Sequence, residues 1–213
     1  MPRGSAELTA ARKEEIVKAC EQLYQTMSFK DITIKEIAAF TSFTRTSVYN
    51  YFQTKEEIFL ALMQREYENW AEEMYCVAEE NDSMTPEGFA AAVAVSLEKH
   101  EQLLKLLAMN HYDMEANSRY ECLKEFKSAY GTSLEAVRSC IKKFFRHVDC
   151  ESFVYVFFPF LFGVYPYAVA TEKQLQAIKD AGLSFKMHSI HDMIYQCVLQ
   201  LLGEKRHDDY SEK

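Results

Sequence analysis

The run from Thr44 to Tyr51 combines hydroxyl groups, two tyrosine rings, an arginine and an asparagine, and it contains no acid. Surface helices of soluble proteins usually carry charged residues of both signs, so this composition is unusual. Phosphate oxygens and base edges accept hydrogen bonds from such donors, whereas carboxylates would be repelled. The run therefore predicts contacts with DNA, and the candidate residues are Arg45, Thr46, Ser47, Tyr49, Asn50 and Tyr51.

The run is positioned by two helix starts, one on either side of a short turn. Thr-x-x-Glu capping boxes begin at Thr33 and Thr54, and Thr44 is an N-cap candidate between them. The residues Thr41 to Phe43 form the turn, which completes the pattern of a helix-turn-helix. Capping alone explains the hydroxyls of Thr33 and Thr44, but helix N-termini also attract anions, so both are candidates for phosphate contacts. The side chains expected to face inward are Ile34, Ile37, Ala38, Phe40, Val48 and Phe52.

The rest of the chain also reads as helices, because apolar residues recur at steps of three and four and only 6 Gly and 4 Pro interrupt them. The pattern predicts an all-α protein of about nine helices, including one long helix from about 115 to 146 that passes through Gly131. A charge-free helix over 153–170 is expected to be buried on all sides. Its length just reaches that of a membrane span, but Pro159, Pro166 and the absence of a basic flank argue against one.

The net charge of −8 is unevenly distributed along the chain. Residues 1–56 carry 8 Lys and Arg against 7 Asp and Glu, whereas the remainder carries 16 basic and 25 acidic residues. An acidic body repels phosphate and suppresses non-specific binding to nucleic acid. Specific DNA binding would therefore depend on a few donors in the first quarter of the chain.

Two strings in this region, ITIKEIAAF and SFTRTSVYNYFQTKEEIF, resemble the TetR family of bacterial one-component transcriptional regulators. The resemblance covers residues 12–70, and YNYFQTK is quite specific to the family. It implies that the acid-free run is the recognition helix and that Tyr49 and Lys55 contact phosphates, as the residue in the position of Thr33 often does. A Gly is usual in this family where Ser42 stands, so a positive φ there would strain the turn.

The pattern and the resemblance divide the chain into a helix-turn-helix domain, 1–56, and an effector-binding and dimerisation domain, 57–213. The resemblance implies a homodimer built on the last two long helices, and two recognition helices one helical turn apart would read a pseudo-palindrome. An apolar seam near the end of the chain suits half of a four-helix bundle, or it packs on the protein's own body. The seam residues are Ile190, Ile194, Cys197, Val198 and Leu201.

The resemblance also implies a small-molecule pocket among the middle helices. The aromatic excess in 153–170 suits a flat or greasy ligand, although these rings could simply fill the core. No acid or base lies in this segment, so a lipophilic, aromatic or weakly polar effector is expected. The predicted lining residues are Trp70, Met109, Phe126, Tyr130, Phe158, Phe162 and Tyr165.

These features predict a ligand-responsive regulator, a repressor as most relatives are, whose homodimer leaves its operator when a ligand moves the helix after Thr54. The alternatives are a dimeric DNA-binding regulator without an effector and an interaction protein that has lost DNA binding. The six scattered cysteines and the polar start of the chain favour a reduced, cytoplasmic protein without disulfides. No motif for nucleophilic, metal or phosphate-loop chemistry is present, so we predict neither an enzyme nor a cofactor nor a metal site.

Overall fold

A computed structural model of the chain describes residues 3–109, 111–184 and 186–203. These residues form eleven helices and no strand, which confirms the all-α prediction but exceeds the expected number of about nine. The helices are α1 (Arg3–Thr26), α2 (Ile34–Ala39), α3 (Arg45–Val48), α4 (Lys55–Glu80), α5 (Pro86–Lys99), α6 (Glu101–Leu107), α7 (His111–Ala116), α8 (Tyr120–Phe144), α9 (Cys150–Ala168), α10 (Glu172–Asp180) and α11 (Ile190–Gly203).

Threonine hydroxyls mark most of the predicted helix starts. The side chains of Thr33, Thr44 and Thr85 each accept a hydrogen bond from the backbone N–H three residues later. Thr171 and Gln174 form a complete capping box, with both reciprocal bonds present. At such ends a side chain replaces the intrahelical partner that the first N–H groups lack.

The long helix predicted from about 115 is broken by a three-residue segment, 117–119. Asn117 donates its side-chain amide to the carbonyl of Asp113 at 2.7 Å, and Ser118 donates its hydroxyl to the carbonyl of Met114 at 2.7 Å. These local side-chain bonds compete with the helical ladder. The chain therefore leaves α7 and begins again as α8, which then continues through Gly131 as predicted.

The first compact unit contains the described residues up to Arg65 together with 111–130. Its core includes Ile16, Ile32, Ile37, Val48, Phe52 and Phe59. Arg65 donates hydrogen bonds to Glu14 at 3.0 Å and to Glu21 at 2.5 Å, which ties α4 to α1 beyond the predicted domain boundary at residue 56. The first compact unit thus extends beyond the domain predicted for residues 1–56, and it also includes residues 111–130.

The second compact unit contains the described residues from 66 to 109 and from 131 onward. Helix α11 packs mainly on α5 and also on α9, and α9 packs on α6. A polar cluster lies at the junction of α5 and α6, where His100 faces two α4 carboxylates. Its Nδ1 lies 3.8 Å from Glu66 Oε2, and its Nε2 lies 3.4 Å from Glu73 Oε1. The hydrogen bond with Glu66 and the two negative charges outweigh burial and raise the pKa of His100.

Helix α9 is buried on one face only, which corrects the prediction that it is buried on all sides. Phe153, Phe157 and Leu161 are buried, whereas Tyr155 is 81% exposed and Tyr167 is 62% exposed. In the described part of the chain no single helix is long and apolar enough to cross a membrane. Helices α9 and α10 would reach that length together, but they are bent by 81°.

Candidate nucleic-acid interface

The recognition segment, residues 44–51, presents most of the predicted donors on its outer face. Helix α3 is followed by a turn over 49–51, so the segment is less regular than the predicted helix to residue 51 or 52. Val48 and Phe52 are buried beneath it and fix the orientation of its outer side. Ser47 and Tyr51 are half-buried, and the exposed residues are Thr44, Arg45, Thr46, Tyr49 and Asn50.

An open cleft of about 400 Å³ brings residues of α2, α3 and the start of α4 together. The guanidinium of Arg45 donates to the Tyr49 hydroxyl at 3.2 Å and lies 5.8 Å from the centre of the same ring. The described lining contains three basic residues and no acid, so it suits a phosphate group. The residues that line the cleft are Thr33, Ile34, Lys35, Arg45, Tyr49 and Lys55.

Sequence reasoning missed Lys35 as a member of this cleft. Lys35 is exposed in the first turn of α2, and its side chain makes no hydrogen bond or ion pair to any residue that the structure describes. Its position two residues after the Thr33 cap could have indicated that its ammonium group lies beside the other donors.

Lys55 has a structural role in addition to the predicted phosphate contact. Its ammonium group donates to the carbonyl of Phe29 at 2.8 Å and to that of Ile32 at 3.2 Å. The same group lies 4.1 Å from the centre of the Phe29 ring, within the range of a cation–π interaction. Lys55 therefore fixes the link between α1 and α2 while its charge lines the cleft.

Tyr51 is placed on the side of the recognition segment that faces α1. Its hydroxyl accepts a hydrogen bond from Arg12 at 3.3 Å, and its ring lies 6.2 Å from that of Phe43. The guanidinium of Arg12 also lies over the Phe43 ring at 5.6 Å. The DNA contact predicted for Tyr51 thus competes with an aromatic–cation cluster inside the unit.

The turn of the helix-turn-helix is held by Glu15 of α1. One carboxylate oxygen of Glu15 accepts the backbone N–H of Ser42 at 2.5 Å, and the other accepts its hydroxyl at 3.2 Å. Ser42 stands where relatives usually have Gly, and its hydroxyl provides a bond that Gly lacks. The inward position predicted for Phe40 is wrong: this ring is 58% exposed, because Phe40 is the C-cap of α2 and lies outside its apolar face.

An ion pair below the recognition segment joins the buried carboxylate of Glu57 to Arg119, whose side chain is 40% exposed. Glu57 is only 1% exposed and accepts four hydrogen bonds, two from the Arg119 side chain and two from the backbone N–H groups of Arg119 and Gln53. Burial alone would raise the pKa of Glu57, but these hydrogen bonds and the positive charge of Arg119 outweigh it, and the pKa is lowered. Sequence reasoning missed Arg119, which lies more than sixty residues along the chain from Glu57.

The residues predicted to line an effector pocket are divided between the two compact units. Phe126 and Tyr130 belong to the first unit, and the other five belong to the second. Trp70 and Phe158 are buried with ring centres 5.8 Å apart. Met109, Tyr130 and Tyr165 are half-buried, Phe126 is buried, and Phe162 is 36% exposed.

The predicted dimer seam on α11 packs within the chain itself. Ile190, Ile194, Val198 and Leu201 are all buried, and α11 packs on α5 and α9, while Cys197 is half-buried. An open groove of about 520 Å³ lies beside this seam. The groove is lined by Val156, Phe160, His188, Asp192, Met193, Gln196, Cys197, Gln200 and Leu201.

Sequence comparison identifies the family. The domain described as "Bacterial regulatory proteins, tetR family" matches residues 16–62, and the "Tetracyclin repressor-like, C-terminal domain" matches residues 64–190. The second match alone covers more than half of the chain. The chain therefore belongs to the TetR family and is a transcriptional regulator with a helix-turn-helix DNA-binding domain. No curated protein sequence matches it.

Solved structures of similar fold include two regulators named FadR and the protein RolR. The fatty acid degradation regulator FadR from Bacillus halodurans matches with a TM-score of 0.57 at 17% identity, over 92% of this chain and 96% of that one. FadR from Bacillus subtilis, solved with stearoyl-CoA, matches with 0.57 at 15% identity, over 91% and 99%. RolR, solved with resorcinol, matches with 0.50 at 15% identity, over 94% and 100%. At these identities the similarity establishes the fold alone.

Proposed function

We propose that the protein is a homodimeric repressor that binds a pseudo-palindromic operator and is released by a lipophilic or aromatic small molecule. The observation that carries the DNA assignment is the acid-free cleft, in which Lys35, Arg45 and Lys55 lie beside the exposed donors of the recognition segment. Phosphate contacts would position the protein, and the exposed polar side chains of α3 would read base edges in the major groove.

Selection of DNA fragments by the purified full-length protein tests the DNA assignment. Enriched fragments should contain an inverted repeat, and affinity for them should fall steeply with salt. Replacing Arg45 and Tyr49 by Ala and Phe should weaken binding, whereas Lys173→Ala on exposed α10 removes a charge elsewhere and should not. Failure of the unmodified protein to enrich any sequence would contradict the assignment.

For the homodimer, we propose that a second copy covers the groove between α9 and α11. Apolar side chains outside the filled seam remain exposed there, and Val156 is 47% exposed. Placing a charge in the groove by Val156→Arg should convert a dimer into monomers in sedimentation velocity. Leu175→Arg, at an α10 position that is 42% exposed and outside the groove lining, is the matched control and should leave the dimer intact.

The effector class is supported by the absence of acids and bases between 153 and 170, and by the acyl chain and the aromatic ring of the ligands of two neighbours, stearoyl-CoA and resorcinol. A ligand that binds one conformation of the dimer more tightly than the other would shift the population toward that conformation. Helix α4 would transmit the change from the effector-binding domain to the helix-turn-helix domain. Both compounds are practical first probes. A raised melting temperature together with loss of operator binding would support the class and the sign of regulation.

Regulation without an effector is the alternative, and the packing of Trp70 on Phe158 favours it, since these two predicted pocket residues already fill space with each other. A library of lipophilic and aromatic compounds separates the two candidates. Operator binding that no compound changes would favour the effector-free regulator. Operator binding that occurs only when a compound is added would contradict release by ligand. It would indicate that the compound activates DNA binding.

A further inference from the structure

Arg119 lies in the break between α7 and α8, far along the chain from the helix-turn-helix, yet its side chain bonds to the recognition segment and to the start of α4. Its side chain donates to the Glu57 carboxylate through Nε at 2.7 Å and through Nη2 at 2.8 Å. Nη2 also donates to the backbone carbonyl of Tyr51 at 3.0 Å. We refer to Arg119, Glu57 and the Tyr51 carbonyl as the Arg119 clasp.

The clasp acts where the orientation of the recognition segment is decided. Tyr51 is the last residue of that segment, and Glu57 lies in the first turn of α4, so one guanidinium fixes both sides of the intervening bend. A forked pair with two parallel N–H···O bonds is directional, unlike a single ammonium contact. Without Arg119, the carbonyl of Tyr51, in the turn that follows α3, would accept no hydrogen bond from the described backbone.

The hydrogen bonds of Thr54 also connect the break between α7 and α8 to the bend before α4. The hydroxyl of Thr54 donates to the carbonyl of Asn117 at 2.9 Å and at the same time accepts the N–H of Glu57 at 3.2 Å. The segment 117–119 thus holds the bend between the recognition segment and α4 from outside the helix-turn-helix sequence. All of these residues lie within the first compact unit.

We propose that Arg119 is a positioning residue for DNA reading: it does not touch DNA, but it sets the angle of the recognition segment relative to α4. This inference rests on the proposed DNA-binding function. It predicts that loss of the clasp affects operator binding, which needs a defined angle, more than non-specific binding, which depends on charge alone.

The test compares Arg119→Met and Arg119→Lys with Arg65→Met in the full-length protein, using an operator enriched by the unmodified protein and an unrelated duplex. Arg65 is the matched control, because it also bridges two helices of the first unit by carboxylate pairs but contacts α1 and not the recognition segment. Melting curves and helical circular dichroism establish that each variant is folded. Arg119→Lys keeps the charge without the fork, so it decides the question if Arg119→Met does not fold.

Operator affinity should fall by about ten- to a hundredfold in the Arg119 variants, comparable with one mismatched base pair, while affinity for the unrelated duplex stays within about twofold. The slope of operator affinity against salt should be unchanged. A slope lowered by about 0.9 would indicate a direct phosphate contact and overturn the positioning role. Operator affinity equal to that of the unmodified protein, or a loss matched by Arg65→Met, would also overturn it. Failure of the unmodified protein to bind any DNA would instead refute the proposed function.

Discussion

The two lysines that line the cleft of α2, α3 and the start of α4 are expected to differ in their roles, because one also stabilises the fold and the other serves only binding. Lys35 and Lys55 both line the cleft, but of their two ammonium groups only that of Lys55 contacts residues that the structure describes, namely the carbonyls of Phe29 and Ile32 and the Phe29 ring. We predict that Lys55→Met destabilises the protein and weakens DNA binding, whereas Lys35→Met only weakens DNA binding.

The magnitude follows from the bonds that each substitution removes. A hydrogen bond from a charged group contributes about 1.5–3 kcal/mol and a cation–π contact about 0.5–1 kcal/mol. Lys55 is half-buried, so water compensates part of this loss, and we expect Lys55→Met to lower the free energy of unfolding by about 1–3 kcal/mol in total. Lys35 is exposed, and its substitution should change that free energy by less than about 0.5 kcal/mol.

Urea unfolding and DNA binding at several salt concentrations measure the two effects separately. Each substitution should reduce the slope of log affinity against log salt by about 0.9 for every phosphate that the protein no longer neutralises. The unfolding midpoint should fall for Lys55→Met alone. Equal unfolding midpoints for the two variants would refute the structural role of Lys55, and an unchanged salt slope for both would refute the cleft as a phosphate site.

Four further predictions concern stability. Gly131→Ala should stabilise the protein by about 0.5–1 kcal/mol in urea unfolding, because Gly131 lies within α8 and an added Cβ meets nothing within 4 Å. Gly182→Ala should destabilise it by about 1–2 kcal/mol, because its φ of +67° suits Gly. The lowered pKa of Glu57 means that its stabilising effect is present above about pH 4.3 and is lost as pH falls through the folded-state value, so Glu57→Gln should flatten the acid limb of an unfolding curve. The raised pKa of His100 acts in the opposite direction: its contribution is present below about pH 6.5 and is lost as pH rises through the folded-state value, and His100→Gln should remove this dependence.

Short-range sequence rules predicted the helix starts and the exposed side of the recognition segment. A threonine hydroxyl three residues before a backbone N–H acts within one helical turn, so Thr33, Thr44 and Thr171 were predictable without any tertiary contact. The exposure of Thr46 follows from the same short range, since it lies two residues from the buried Val48 and therefore on the opposite side of the same helix.

Periodicity alone could not tell what covers an apolar face. The α11 residues Ile194 and Val198 do form a seam, but α5 and α9 fill it within the chain. Conversely, the unbroken apolar composition of α9 concealed an exposed face that includes Tyr155. In both helices the apolar pattern identified a packing surface, and only the tertiary arrangement decided its partner.

The Arg119 clasp also restricts how a conformational change caused by an effector could reach the recognition segment. Helix α4 begins two residues before Glu57, and α8 begins one residue after Arg119. The fork between these two side chains includes a buried carboxylate, and separating them would leave that charge without its partner, which is strongly unfavourable. A shift at the start of α4 would therefore displace the start of α8 with it. The sequence predicts that α4 alone transmits this change, because α4 follows the recognition segment directly. The bonds of Arg119 join the start of α8 to the start of α4, so the two helix starts would move together.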